Sequence, residues 1–293
     1  MVESMSSNFR NLLKKDGPII LRGVYDALGA KIAYEAGFHG LWASGLEISA
    51  SHAIPDDSSF VEMSKNLDVA REIVWNGPKL PVIADCDDGY GNPIKVGNLV
   101  KAYGRSGIAG ICIEDNLTGE KENSFKEGLR KLEDIGTVCG KIMAAKENSI
   151  DDLVYIARTE ALIQKLGQEE ALKRAHAYAD AGADLILIHS KSEKPDEILE
   201  FAKSWNQRIP LVAVPTTYNT ITANDLYKDG IKCVIFANHG MRARIKAEQE
   251  VSRKLMETQR GIDVDGMLVP VKEIFRLTGT EKLEQEKIKY GLR

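Results

Sequence analysis

Short apolar runs alternate along this chain with longer amphipathic stretches. The runs occupy residues 18–24, 40–45, 80–85, 109–114, 153–158, 185–189, 210–214 and 233–236. Runs of this length, bounded by polar or glycine-containing sequence, predict short strands buried on both faces. Leu185-Ile186-Leu187-Ile188 is the clearest of them. Between the runs, apolar residues recur at helical spacing over 25–36, 64–75, 94–106, 168–181, 195–205, 223–229 and 243–259. The stretch 139–146 is ambiguous, with a helix as one reading.

Eight strand-then-helix units predict a parallel (β/α)8 barrel of the TIM type. The competitor is an open doubly wound sheet. Eight units within roughly 250 residues favour the barrel. No Gly-x-Gly-x-x-Gly follows the first run, which argues against a dinucleotide site. Residues 1–293 are therefore expected to form one barrel domain, with 262–293 as a C-terminal helical extension. Within that extension, 272–277 reads as a short amphipathic helix packed on the barrel or on a neighbouring subunit.

A barrel directs attention to the C-terminal ends of its strands, where such folds place their chemistry. Read in order, those ends carry Trp42 and Ser44, Asp85 and Asp87, Glu114, Arg158, His189, then Pro215 and Thr216. Asn238 and His239 follow the eighth run; they are assigned to capping its turn and left out of the site. The densest stretch is Ala84-Asp85-Cys86-Asp87-Asp88-Gly89-Tyr90-Gly91-Asn92. Alone it reads equally well as a solvated turn. On a continuing strand, however, Asp85 and Asp87 share a face. With Glu114 they offer the oxygen donors that suit Mg²⁺. Ser44 and the backbone N–H groups of Gly45 and Leu46 suit a carboxylate. Arg158 has the planar fork for a carboxylate or phosphonate, and His189 can donate to the same anion. Taken singly, Arg158 would as readily pair with Glu160 or a surface acid, and His189 would as readily be a satisfied core histidine. The polar, glycine-containing segment 114–124 suits a mobile lid carrying Lys121 and Asn123, against the plainer reading of a solvated loop.

Composition removes other classes. The net charge of −4 gives no basic footprint for nucleic acid. No apolar run approaches the roughly 18 residues of a membrane span, and the N-terminus has no apolar signal core. A cytoplasmic protein is expected. Cys86, Cys112, Cys139 and Cys233 form no CxxC pair, so reduced thiols are expected rather than disulfides or zinc.

Five segments together resemble the phosphoenolpyruvate mutase/isocitrate lyase superfamily. They are Gly40-Leu41-Trp42-Ala43-Ser44-Gly45, residues 85–92, residues 114–124, Ile188-His189-Ser190-Lys191 and Val271-Lys272-Glu273-Ile274-Phe275-Arg276-Leu277. The resemblance implies an Mg²⁺-dependent isomerase that interconverts phosphoenolpyruvate and phosphonopyruvate and so makes a C–P bond. It implies Asp85 as the direct metal ligand, with Asp57, Asp87 and Glu114 acting through metal-bound water. It places Trp42, Ser44, Gly45 and Leu46 at the pyruvyl and carboxylate end, and Arg158, His189 and Asn123 around the phosphoryl group. Lys121, Asn123 and Ser124 match the Lys-x-Asn-Ser part of the gating loop. The isocitrate-lyase branch carries a catalytic cysteine segment where this chain has Lys121-Glu122-Asn123-Ser124. Three departures are visible: Asn116 stands in place of a lysine, the following spacing is one residue longer, and Asp88 replaces a threonine. The alternatives are a phosphonopyruvate hydrolase and a non-catalytic anion-binding barrel. The resemblance also implies a homo-oligomer, dimer or tetramer, that exchanges C-terminal helices.

Overall fold

The computed structural model describes residues 3–56, 60–117 and 131–292. Eight parallel strands close into a barrel in chain order: β1 (Ile19–Val24), β2 (Gly40–Ala43), β3 (Val82–Asp85), β4 (Gly110–Glu114), β5 (Val154–Thr159), β6 (Leu185–Ile188), β7 (Leu211–Ala213) and β8 (Ile231–Phe236). β8 pairs back onto β1 through Ile19–Cys233 to Arg22–Phe236. The expected (β/α)8 architecture is the observed one. Residues Met1–Asn238 form one compact unit, and His239–Arg293 form a second.

Several helices of the first unit start where short polar side chains satisfy their free N–H groups. Asp26 caps α2 (Ala27–Glu35), Ser44 caps α3 (Gly45–Ser51), and Asn92 followed by Pro93 opens α5 (Pro93–Arg105). Asp134 caps α6 (Ile135–Asn148), so the ambiguous 139–146 stretch is the middle of a helix. The remaining helices of this unit are α1 (Met5–Leu13), α4 (Met63–Asn76), α7 (Gly167–Asp180), α8 (Asp196–Trp205) and α9 (Ala223–Lys228). The sequence pattern gave no sign of α1 or α3. Arg10 of α1 contacts Asp152, two residues before β5, and Asp184, directly before β6. That sets α1 at the N-terminal end of the barrel, where its buried Phe9 joins the interior cluster. The second unit contains α10 (His239–Thr258), a 3-10 turn (Gly261–Met267), α11 (Val271–Thr278) and α12 (Thr280–Lys289).

Two apolar clusters follow from strand alternation. One face of the strands packs outward against helices, through residues such as Leu41, Val82, Ala84, Ile111, Tyr155, Ile186 and Val234. The other fills the barrel: Leu21, Trp42, Ile83, Cys112, Ile156, Leu187, Val212 and Ile235. Two residues further along, the same inward rows continue as Gly23, Ser44, Asp85, Glu114, Arg158, His189, Val214 and Ala237. Seven of these eight line one cavity. The exception is Gly23. A Cβ there would lie 1.7 Å from the carbonyl oxygen of Ala237, at the exit of β8. The barrel closes only because this position has no side chain.

Gly23→Ala must therefore push backbone against backbone, with no flexible side chain to yield. We expect a loss of about 3 kcal/mol or more in denaturant unfolding. Gly261→Ala, where nothing lies within 4 Å, should leave the unfolding free energy within about 0.5 kcal/mol of the parent. Equal effects of the two would show that the closure does not depend on Gly23.

Candidate active site

The cavity at the C-terminal end of the strands measures about 70 Å³, a volume for a small molecule rather than a polymer. Trp42, Ser44, Leu46, Asp85, Asp87, Glu114, Arg158 and His189 all line it, so eight of the sequence-selected residues meet at one place. Gly45 is the first residue of α3, and its N–H donates to Asp85 Oδ2 at 3.3 Å. A Cβ on Gly45 would come within 3.2 Å of both Asp85 Oδ2 and Asp87 Oδ1. Glycine is what allows the helix end and two carboxylates to approach this closely. Asp57, Lys121, Asn123 and Ser124 fall outside the described residues, as does most of the expected lid.

The acidic side of the cavity is held from behind. The carbonyl of Asp85 accepts from Asn66 Nδ2 at 2.9 Å, and Asn66 Oδ1 accepts from Tyr103 O–H at 2.8 Å. The N–H of Glu114 donates to the Asp87 carbonyl at 2.8 Å, which joins the β3 and β4 exits. Asp87 itself sits at φ 47°, a left-handed conformation that aspartate tolerates better than most residues. Cys86 and Asp88 are buried, so this stretch is not a solvated turn. The buried Lys141 donates to the Asp88 carbonyl at 2.8 Å. Asp56, which the sequence did not single out, brings a fourth carboxylate to the cavity.

Burial pushes the Asp85 carboxyl up to about 8. Arg158 opposes that rise, while the charges of Asp87, Glu114 and Asp56 reinforce it. A cluster of oxygen donors short of positive charge is a fit for a hard divalent cation. Among the described residues, no three His, Cys, Asp or Glu side chains come together as a ready-made metal cage.

Opposite the acids, Arg158 of β5 reaches Glu114 Oε2 at 3.3 Å through Nη1 and Glu160 Oε1 through Nε. Its Nη2 lies 3.0 Å from His189 Nδ1. The anticipated Arg158–Glu160 pair therefore exists, but Glu160 is fully buried and belongs to the grip rather than to the surface. Burial alone would raise Glu160. Arg158 and His189 more than offset that and hold it ionised. The two-residue spacing of Arg158 and Glu160 was the available signal.

One exclusion is corrected. Asn238, assigned to turn capping, lines the cavity at 7% exposure, and its Oδ1 has no partner among the described residues. It follows Ala237 in the inward row, where the strand gives way to a turn. Thr216 also lines the wall. Asn116, the departure from the family's lysine, is buried and donates from Nδ2 to Glu114 Oε1 at 2.6 Å.

The family model described as phosphoenolpyruvate phosphomutase matches residues 9–256. A solved phosphoenolpyruvate phosphomutase from Streptomyces platensis subsp. rosaceus is 39% identical, with a TM-score of 0.94, over 97% of this chain and 99% of that one. The phosphonopyruvate hydrolase of Variovorax sp. (strain Pal2) is 44% identical over 91% of this chain and 92% of its own. A solved phosphonopyruvate hydrolase in complex with oxalate and Mg²⁺ is 39% identical, with a TM-score of 0.91, over 98% of this chain and 99% of that one.

The raised Asp85 carboxyl has a consequence for the metal-free protein. Its folded value, about 8, lies well above the ordinary range of an aspartate, so ionising it costs stability increasingly as pH rises from about 4 to 8. Asp85→Asn removes that cost. In EDTA, the variant should melt about 5 °C above the parent at pH 8, with a smaller gain at pH 5. A gain that grows toward acid pH would show that Asp85 is not under this repulsion.

Proposed function

We propose that this chain, which belongs to the phosphoenolpyruvate phosphomutase family, interconverts phosphoenolpyruvate and phosphonopyruvate. The observation that carries this reading is the pairing, in one cavity, of the Arg158–His189 grip with the Asp85, Asp87 and Glu114 carboxylates. One side suits a phosphoryl group, the other a cation and the carboxylate end of a small acid. Mg²⁺ would be held by Asp85 directly and by Asp87 and Glu114 through water, and it would neutralise charge on the enolate and carboxylate oxygens. Asp57 is assigned to the same water-mediated set by resemblance. Ser44, Gly45 and Leu46 at the start of α3, with Trp42, would hold and orient the carboxylate end. Arg158 and His189 would hold the phosphoryl group as it leaves oxygen for carbon. Loose phosphoryl transfer needs positioning and charge stabilisation more than a covalent nucleophile, so none of the four cysteines is required.

A second reading, phosphonopyruvate hydrolysis, is favoured by the 44% identity to the Variovorax enzyme. Lys121-Glu122-Asn123-Ser124 favours the mutase, by the family pattern. The two differ in whether water reaches the phosphoryl group in transit. We further propose that residues 262–293 are an extension that pairs with a second copy of the chain. α11 buries none of its residues, and Ile274 and Phe275 are 49% and 53% exposed. The protein is read as cytoplasmic; among the described residues no helix is long and apolar enough to cross a membrane.

Incubation with phosphonopyruvate and Mg²⁺, followed by ³¹P NMR, separates the readings. Phosphoenolpyruvate is the expected product. Inorganic phosphate would make the chain a hydrolase, and bound but unchanged ligand would make it a binding protein. Asp85→Ala should abolish turnover while leaving the circular dichroism spectrum intact. Asn123→Ala should slow turnover by about 10²-fold, the scale of losing one transition-state donor, and release a larger share of phosphate. Light scattering at micromolar concentration should give a dimer or tetramer, and a monomer would overturn the helix exchange.

A further inference from the structure

Glu160 is a fully buried carboxylate at the exit of β5. Its backbone N–H donates to Asp115 Oδ1 at 2.8 Å. Asp115 in turn accepts from Tyr178 O–H at 2.8 Å and pairs with Arg174 at 3.2 Å. The Glu160 main chain is thus fixed by groups that lie outside the cavity. Its Oε1 faces two cavity residues from adjacent strands: Arg158 through Nε, and His189 through Nδ1 at 3.0 Å. Its Oε2 has no partner among the described residues. The carboxylate is placed for those two side chains.

His189 Nδ1 stands between a donor and an acceptor. Arg158 Nη2 lies 3.0 Å away and can only donate, whereas Glu160 Oε1 is at the same distance and, as a carboxylate, only accepts. The local charge decides between them. Among the described residues, one guanidinium faces two carboxylates, Glu160 and Glu114. The excess is negative, and it favours a hydrogen on Nδ1. Nε2 is then the ring nitrogen left to the cavity that His189 lines.

We propose that Glu160 is a positioning residue that holds the Nδ1 hydrogen of His189 and turns Nε2 toward the cavity, where Nε2 takes the proton of an incoming phosphoryl O–H and donates it back to the resulting oxyanion as a charge-assisted hydrogen bond. This rests on the phosphoryl chemistry proposed above. Arg158 and His189 become one anion grip because a single oxygen orients both. Glu160 itself is not among the residues that line the cavity. Its loss acts through a tilted ring and a guanidinium drawn toward Glu114, and misplacement of that kind costs about 10²-fold in rate.

The test reads the tautomer without turnover. In ¹⁵N-labelled protein free of ligand, the His189 ring signals are assigned by their loss in His189→Asn. The expected parent spectrum has Nδ1 protonated. In Glu160→Gln the charge excess is gone, and the hydrogen should move toward Nε2. The same variant should lose about 10²-fold in kcat with a smaller change in KM. An unprotonated Nδ1 in the parent overturns the proposal, as does a Glu160→Gln protein with the parental spectrum or kcat. If Glu160→Gln does not fold, the parent spectrum alone decides. A parent with the expected tautomer and no reaction in the ³¹P experiment leaves the positioning assignment standing and removes the mutase reading.

Discussion

Arg158 occupies the middle of three neighbouring strands. Its guanidinium joins Glu114 on β4, Glu160 on its own strand's exit and His189 beyond β6. Buried ion pairs are poor sources of net stability, because desolvation offsets most of the attraction. Removing one partner is costly nonetheless, since it strands the others in a medium of low polarity. The arrangement is therefore better explained by what it presents than by what it stabilises. It fixes a planar cation and an imidazole side by side at the mouth of a rigid barrel.

Among the described residues, the same cation is outnumbered. Asp56, Asp85, Asp87 and Glu114 line the cavity it faces, and Glu160 lies directly behind it. A multiply anionic ligand entering that field would be repelled by more charges than attract it. A divalent cation inverts the local potential when it binds. The raised Asp85 carboxyl is the metal-free expression of that imbalance.

Much of this was legible because a barrel obeys one rule at every strand. Inward residues alternate, so each apolar interior position predicts the residue two places on as a mouth residue. Ile83 leads to Asp85, Cys112 to Glu114, Ile156 to Arg158 and Leu187 to His189. The rule weakens where the strand has ended. Asn238 lies one residue past Ala237, in the turn, and periodicity no longer tells which way its side chain points. Asp56 lies far from any strand, beyond the short helix α3, whose seven residues are too few to show a helical pattern. Glu160 was visible as a partner of Arg158, but sequence does not report burial. An ion pair on the surface and one forming the back wall of a site have the same spelling.

The segment that would decide between mutase and hydrolase begins and ends on this framework. Asn116 forms an antiparallel bridge with Leu132, Leu117 N–H donates to the Lys131 carbonyl at 3.2 Å, and Glu133 N–H donates to the Asp115 carbonyl at 2.8 Å. Arg174 bonds both the Asp115 carboxylate and the Glu133 carbonyl. The residues flanking Lys121 and Asn123 on both sides are therefore tied to Glu114-Asp115-Asn116. Asp115 also fixes Glu160, and Asn116 bonds Glu114. The described ends of this segment and the Arg158–His189 pair share these anchors. A change at Asp115 would disturb both at once, whereas a change at Glu160 acts on the grip alone.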